Sequence, residues 1–296
     1  MITSCTNIKY NTPKTVKPSF NGRLVPARLS RFYENAGFKG ILSPLMDYKA
    51  RNYPQVIRKT LAPIIKKVQI PSKNGSIYSW EVNPENSKKY VLFLHGIKGK
   101  STIPPNQLFI ESVIQKGGYG IITPEYRGSA ELHKKRFTFK NMIEDAKVTL
   151  DYLYSKGIKP EDITIVSHCI GSIPASHIAS EEKNIGKIIL VSPIVDGGGF
   201  GTTLLKTLKL KLPHSLENKL NTFIELFMPY EMNTIKHINT TNSPITVILP
   251  TNDNLVSNEQ CSKLIKFIRN LNNFITIPNG VHALTKSNCT AIVEHL

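Results

Sequence analysis

The sequence predicts an α/β fold built on a mostly parallel, twisted sheet with helices on both faces. Short apolar, β-branched runs recur at residues 90–94, 163–167, 187–192 and 245–249. Amphipathic stretches of helical length separate these runs, as at residues 140–156. Strands that alternate with helices are joined by right-handed crossovers, so neighbouring strands become parallel and both faces of the sheet need a helix layer.

The elements can be assigned in order along the chain. Residues 55–65 are expected to form a short helix, and a turn at residues 73–75 predicts a hairpin of strands 67–71 and 77–82. The continuously apolar run 90–94 is typical of a strand buried on both faces. After it we expect a helix 106–116, a strand 119–123, a helix 140–156, a strand 163–167, a helix 171–182, a strand 187–192, an insertion 197–240, a strand 245–249, a helix 257–270 and a strand 273–277.

Length and composition fit one large domain preceded by an extension. The chain has 296 residues, of which 40% are hydrophobic and 20% charged. No apolar run approaches the ~18 residues of a membrane span, and the N-terminus lacks the apolar core of a secretory signal. The cysteines form neither metal-type pairs nor a disulfide framework. We therefore expect a cytoplasmic protein with free thiols and with no metal or organic cofactor. The four cysteines are Cys5, Cys169, Cys261 and Cys289.

The positive charge is concentrated near the N-terminus. Residues 1–70 hold 13 Lys and Arg against two acidic residues, in a chain of net charge +17. Residues 1–65 are predicted to form a basic, partly flexible extension, because the first stretch is too polar to fold by itself. Such an extension suits an anionic membrane surface, and a solubilising tail without a ligand is the alternative. No RNA-binding motif favours nucleic acid, and the oligomeric state stays open.

Cys169 stands where a strand is expected to turn into a helix. Small residues, Ser167 and Gly171, flank it two positions to either side. This spacing is typical of a nucleophile elbow, in which the central side chain takes a strained, exposed conformation. A thiolate there is stabilised by the helix dipole and by unpaired N–H groups. The alternative is a small buried cysteine at a strand end, since free cysteine is among the most buried residue types.

The ordered set of motifs resembles the α/β-hydrolase superfamily over residues 66–296. A hairpin, a His-Gly turn, a Tyr-Arg-Gly turn, the elbow, an insertion and two polar loops follow one another in the family's order. The resemblance implies a triad in the order nucleophile, acid, base, and Asp253 and His282 stand where the family places its acid and base. Cysteine at the elbow and Ser167 in place of glycine depart from the usual pattern. Dienelactone hydrolases also carry cysteine at the elbow.

These residue types suit acyl transfer through a covalent intermediate. The reaction needs a nucleophile, a base that takes its proton and an acceptor that orients the base. Cys169, His282 and Asp253 supply these three roles. The oxyanion needs two donors, for which the backbone N–H groups of Ile97 and Ile170 are the natural choice. The sequence thus predicts an acyl hydrolase of the esterase or thioesterase class, acting on a small ester, thioester or lactone.

The insertion at residues 197–240 is predicted to form a helical cap over the elbow. Leucines alternate with lysines in its first half, and apolar residues recur at helical spacing in its second half. An apolar cap would admit an acyl chain, although the same side chains can simply pack the cap onto the domain. The residues expected to contact the substrate are Gly96, Leu204, Leu208 and Phe223.

Several alternatives remain open from the sequence. Asp196 follows the strand after the elbow and is a second candidate for the acid, while His282 has the alternative of being an exposed loop histidine. His168 is expected to point away from the site and to be structural. An acyltransferase would use the same residues, and a noncatalytic binding protein could keep the same scaffold.

Overall fold

A computed structural model describes residues 56–73, 75–96, 100–128, 137–207, 233–256 and 258–296, with residues 19–20 and 23–24 and a few single positions between 132 and 219. Its main feature is a sheet of eight strands. Two short strands, β1 (Ser19–Phe20) and β2 (Arg23–Leu24), form a separate antiparallel pair. The eight strands of the large sheet are β3 (Ile65–Ile70), β4 (Ile77–Val82), β5 (Tyr90–Leu94), β6 (Gly120–Glu125), β7 (Ile163–His168), β8 (Lys187–Val191), β9 (Ile245–Pro250) and β10 (Leu271–Ile277).

The helices lie between the strands, as the alternating pattern predicts. None of the helices in the described part of the chain has the length and apolarity that a membrane crossing requires. The helices are α1 (Pro104–Lys116), α2 (Phe139–Ser155), α3 (Ser172–Glu181), α4 (Gly197–Thr207), α5 (Thr234–Ile238), α6 (Asn258–Phe267) and α7 (Lys286–Glu294).

The order of the strands determines where a crevice forms in the large sheet. The large sheet runs β10-β9-β8-β7-β5-β6-β4-β3, parallel from β10 to β6 and antiparallel from β6 to β3. The chain leaves β5 in one direction to form β6 and then crosses back to form β7 on the other side. A crevice opens where the winding direction reverses, at the carboxyl ends of the strands. The predicted fold class, the α/β-hydrolase fold, is confirmed.

The central strands are buried on both faces because their side chains alternate between two cores. In β5, Tyr90, Leu92 and Leu94 belong to the core under α2 and α3, whereas Val91 and Phe93 pack with Phe109 of α1 in the other core. This explains why β5 has a continuous apolar run instead of an alternating one. The backbone of each central strand is therefore held rigidly at the position where the site residues begin.

The segment before the sheet is packed, but it is not the predicted helix. Residues 59–64 form turns, and Leu61 is buried in the core under α1. Gln107 of α1 accepts a hydrogen bond from the Arg58 N–H at 2.7 Å and donates one to the Val56 carbonyl at 2.8 Å. These turns therefore belong to the packed part of the predicted 1–65 extension. Helix α7 at the other end of the chain is an element that the sequence analysis did not predict.

Candidate active site

Cys169 occupies a strained turn between β7 and α3. The strand ends at His168, residues 169–171 form one turn of 3-10 helix, and α3 begins at Ser172. Cys169 has a φ of 54°, in the left-handed region that non-glycine residues rarely adopt. Such strain clusters at functional sites. The strained elbow agrees with the prediction, but the expected exposure does not, since the side chain is only 2% exposed.

The small residues around the elbow allow a close approach between neighbouring strands. A Cβ on Gly171 would lie 2.0 Å from the carbonyl oxygen of Leu94, so only glycine fits there. A Cβ on Gly96 would lie 3.3 Å from the Cβ of Cys169, which places this turn directly against the elbow. Ser167 fills the other small position without a clash, and its hydroxyl faces the Ile189 carbonyl of β8 at 3.5 Å.

His282 and Asp253 meet although 29 residues separate them in sequence. The His282 Nδ1 lies 2.8 Å from Oδ2 and 3.0 Å from Oδ1 of Asp253. Oδ1 also accepts the backbone N–H groups of Leu255 and Val256, each at 2.9 Å. His282 is 6% exposed, which excludes the alternative of an exposed loop histidine. Because the carboxylate can only accept, Nδ1 carries the hydrogen and Nε2 is left to interact with Cys169.

The electrostatics of the site favour the charged form of the His282 imidazole. Burial alone would lower the pKa of His282, but the charge of Cys169 and the hydrogen bond and charge of Asp253 raise it to about 10. Burial would likewise raise the pKa of Asp253, yet its hydrogen bond and attraction to His282 lower it to about 2. The arrangement therefore favours an imidazolium at His282 that is paired with the carboxylate of Asp253.

Asp196 takes a different position from the one its candidacy as acid would need. Its Oδ1 accepts the backbone N–H of Gly199 at 2.8 Å and so stabilises the first turn of α4. The carboxylate on the Nδ1 of His282 belongs to Asp253. Of the two acids that the sequence left open, the geometry thus brings Asp253 to the imidazole.

The turn after β5 is tied at both ends to the end of β6. Nδ1 of His95 lies 2.8 Å from the Gly96 carbonyl and Nε2 lies 3.2 Å from the Pro124 carbonyl. Burial lowers the pKa of His95 to about 4, although these carbonyls favour the charged form. At the other end, Ser101 donates its hydroxyl to Glu125 at 2.7 Å. The sequence analysis did not identify Glu125 as a residue of the site. The signal that could have found it is a carboxylate at the end of a predominantly apolar strand.

Only some of the predicted oxyanion and substrate residues fall within the described structure. Ile170 is buried directly after Cys169, at the position the prediction requires, and Gly96 lines a small pocket beside the elbow. The pocket is otherwise lined by Ile103, Pro105, Asn106, His168 and Leu284. Outside the described residues lie Ile97, Leu208 and Phe223, together with the side chain of Leu204.

The first helix of the predicted cap is attached to the loop that carries Asp253. On α4, Thr203 donates its hydroxyl to the Leu255 carbonyl at 3.2 Å. On the same helix, the Phe200 ring packs edge-on against Phe139 of α2, with centroids 5.6 Å apart. The described part of the insertion therefore contacts both the acid loop and the domain.

The contacts and burial of Arg127, Cys261 and Cys289 are those of structural residues. Arg127 donates to Asp145 and pairs with Glu144, which fixes the loop after β6. The thiols of Cys261 and Cys289 are buried, and burial raises the pKa of each to about 12. Among the residues that the structure describes, no cluster of His, Cys, Asp and Glu could hold a metal ion.

His168 contradicts the expectation that it points away from the site. Its ring packs against the His282 ring with centroids 4.8 Å apart, and its Nε2 lies 2.8 Å from the backbone oxygen of His282. The elbow geometry that suggested the opposite direction does not account for the last loop, which brings the His282 backbone and ring to His168. The contact was invisible in the sequence because 114 residues separate the two histidines.

Solved structures share this architecture at low sequence identity. An esterase from Pyrococcus furiosus is 21% identical over 82% of this chain and 95% of its own, with a TM-score of 0.62. The esterase domain of a Rhodothermus marinus protein is 16% identical over 77% and 94%, with a TM-score of 0.56. An alpha-beta serine hydrolase homologue from Coxiella burnetii is 13% identical over 78% and 94%, also with a TM-score of 0.56.

Neither a protein-family model nor a curated protein matches the sequence. At such identities the structural matches establish the α/β-hydrolase fold. The chemistry must be argued from the site itself, because one fold hosts many functions.

Proposed function

We propose that the protein is an acyl hydrolase that cleaves ester bonds through a covalent acyl-enzyme on Cys169. One observation carries the proposal: the His282 imidazole is held by Asp253 on one side and interacts with Cys169 on the other. Nucleophile, base and orienting acceptor then stand in the relation that acyl transfer requires. Support comes from the fold, since two of the solved structures that share it carry the name esterase.

In the first half of the reaction, the Sγ of Cys169 attacks the ester carbonyl carbon and the carbonyl electrons move to oxygen. The N–H of Ile170 donates to this oxyanion, and the N–H of Ile97 is proposed as the second donor. The intermediate collapses as the carbon–oxygen bond to the leaving group breaks. His282 gives its Nε2 proton to the departing alkoxide, which leaves a thioester on Cys169.

In the second half, His282 acts as the base. Its neutral Nε2 takes a proton from water while the water oxygen attacks the thioester carbon. The new tetrahedral intermediate expels the Cys169 thiolate and releases the acid, and the imidazolium is restored beside the thiolate. Asp253 keeps the Nδ1 hydrogen throughout, so the imidazole stays in the tautomer that both halves need.

Thioesters and lactones would react by the same steps, and we include them in the proposed substrate class. We propose that Gly96, Leu204, Leu208 and Phe223 contact the acyl group. The described pocket beside Gly96 supports this for one of the four, because its walls include apolar side chains next to the elbow.

The experiment is intact-mass analysis after brief exposure to p-nitrophenyl butyrate and to a short-chain acyl thioester. Wild type, Cys169→Ala and His282→Ala are compared side by side, with release of the acid measured in parallel. We expect a transient adduct on wild type, no adduct on Cys169→Ala and at most slow labelling of His282→Ala. Comparable turnover by Cys169→Ala would refute the mechanism. Acyl transfer to an added alcohol in preference to water would identify an acyltransferase.

A further inference from the structure

The loop that carries His282 is held at three successive backbone carbonyls. The side-chain amide of Asn288 donates to the carbonyls of Val281 at 2.8 Å and of Ala283 at 3.1 Å. The carbonyl between them, that of His282, lies 2.8 Å from the Nε2 of His168. Since a carbonyl can only accept, Nε2 carries the hydrogen and donates it. Two side chains thus fix the backbone on both sides of the proposed base.

His168 is a rigid support for this loop. It is the last residue of β7, pairs with Val191 of β8 and is 4% exposed. Its ring lies between two parts of the site: a Cβ on Gly96 would come within 3.1 Å of Nδ1, and the His282 ring packs on its other side. Because β7 lies in the middle of the sheet, the His168 ring has little freedom to follow a displaced loop.

The two contacts act on the imidazole in different ways. The hydrogen bond sets the position of the His282 backbone, and the ring contact limits rotation of its side chain. Without the hydrogen bond, the His282 carbonyl would be buried without its partner, at a cost that favours a shifted loop. A displacement of about 1 Å from the reactive geometry lowers the rate about 100-fold in well-positioned sites.

We propose that His168 is a positioning residue that holds the His282 imidazole in line between Cys169 and Asp253. Its effect on rate rests on the proposed hydrolase function. Its effect on the geometry of His282 does not, since the His282–Asp253 hydrogen bond is a contact within the protein itself.

Two variants separate the contacts. His168→Gln retains an N–H donor at the reach of Nε2 but removes the ring, whereas His168→Phe retains a ring and removes the donor. His177→Phe is the matched control, because the His177 ring also packs against a histidine ring, that of His237, with centroids 3.8 Å apart. All three variants are compared with wild type as full-length protein.

The first readout is the downfield proton resonance of the His282 Nδ1–H bonded to Asp253, assigned by its loss in Asp253→Asn. The second is kcat and KM for p-nitrophenyl acetate. We expect His168→Phe to lose or shift the resonance and to lower kcat by about tenfold or more, with KM within about twofold. His168→Gln should restore most of kcat and the resonance, and His177→Phe should retain both.

Either of two results would overturn the proposal. One is a His168→Phe protein with unchanged resonance and kcat. The other is a loss of kcat that follows thermal stability equally in His168→Phe and His177→Phe, with no recovery in His168→Gln. If wild type never acylates Cys169, the hydrolase function fails, while the resonance still decides whether His168 positions His282.

Discussion

At the scale of single residues, the site combines burial with charge. Cys169, His282 and Asp253 are removed from water, which makes their interactions stronger than the same contacts would be at the surface. Burial opposes each ionised form, yet the direction of the pKa shifts of His282 and Asp253 shows that mutual attraction wins. Removing one partner therefore leaves the others buried without compensation, and the effects should be large.

Asp253→Asn should lower kcat by about 100-fold to 10,000-fold. The neutral amide no longer stabilises the imidazolium, and its NH2 group, placed where Oδ2 now accepts the Nδ1 hydrogen, favours the wrong tautomer of His282. Asp196→Asn is the matched control, because Asp196 stabilises the start of α4 and does not contact His282. Initial rates with p-nitrophenyl butyrate test this, and equal losses in the two variants would argue against Asp253 as the acid.

The free energy of unfolding should fall as the pH drops from about 4 to about 2. The pKa of Asp253 lies at about 2 in the folded protein, below the usual 3.8. Because its pKa is lower in the folded protein, the Asp253 carboxylate stabilises the fold at pH values above its pKa in the unfolded chain. This contribution to the free energy of unfolding is lost as the pH falls and the folded carboxylate takes up a proton. The difference corresponds to about 2 kcal/mol. Urea unfolding across this range should show a smaller decrease for Asp253→Asn than for wild type. Parallel curves would contradict the linkage.

At the scale of elements, the elbow depends on how closely β7 and α3 approach β5. Gly171 has no room for a side chain beside the Leu94 carbonyl, and Gly96 lies against Cys169 from the other strand. Cys169, the proposed nucleophile, is thus placed by the packing of the strands more than by its own interactions. A change in any backbone contact of this turn should move Cys169 relative to His282.

Gly171→Ala should destabilise the protein by about 3 kcal/mol or more and abolish acylation of Cys169. Its Cβ would have to occupy space 2.0 Å from the Leu94 carbonyl oxygen, which neither backbone can yield cheaply. Ser176→Ala on the same helix is the control, since its hydroxyl bonds only within α3, to Ile173. Thermal unfolding checks the prediction, and similar midpoints for the two variants would exclude the close packing.

The connection after β5 is a second element on which the geometry of the proposed oxyanion site depends. Ser101→Ala removes the hydroxyl that donates to Glu125 at 2.7 Å and so loosens one end of the segment that carries Ile97. We expect kcat to fall about tenfold, because loss of one oxyanion donor costs about 3 kcal/mol and a loosened loop loses part of that. Ser112→Ala, whose hydroxyl bonds within α1, is the control. A kcat equal to that of the control would refute the role of this contact.

At the scale of the whole molecule, the N-terminal basic residues and the proposed catalytic residues lie in different parts of the chain. The proposed catalytic residues lie between positions 169 and 282, whereas 13 of the 38 Lys and Arg residues fall within the first 70 positions. The packing described above begins at residue 56. We propose that the region before it serves as a basic arm for an anionic surface, through attraction that salt screens.

Deletion of residues 1–30 should leave ester turnover within about twofold of wild type and weaken binding to phosphatidylserine vesicles. The deletion removes β1 and β2, which pair with each other in a separate sheet, and it leaves the segment that packs on α1, so the large sheet should keep its stability. Cosedimentation with phosphatidylserine and phosphatidylcholine vesicles, at low and high salt, measures the effect. Salt-independent binding that survives the deletion would reject the arm as the binding element.

The order of strands and helices could be predicted because each element leaves a local signal. β5 is readable from five consecutive apolar residues, and the elbow from small residues at fixed distances around Cys169. The helix expected at residues 55–65 was a wrong prediction: Gln107 holds Val56 and Arg58, Leu61 is buried in the core, and residues 59–64 form turns. Helix α7 was missed because it follows the last strand, where no alternating pattern continues.

The features of the site likewise divide into those that the sequence predicts and those that only the tertiary structure reveals. The sequence by itself determined the α/β fold class, the elbow at Cys169 and the candidates Asp253 and His282, because spacing and residue type are local properties of the chain. Only the tertiary structure showed that Asp253 contacts the His282 imidazole, that Cys169 is buried and that His168 lies against His282. These facts depend on contacts between loops far apart in sequence, whose geometry arises from packing and from the register of the sheet.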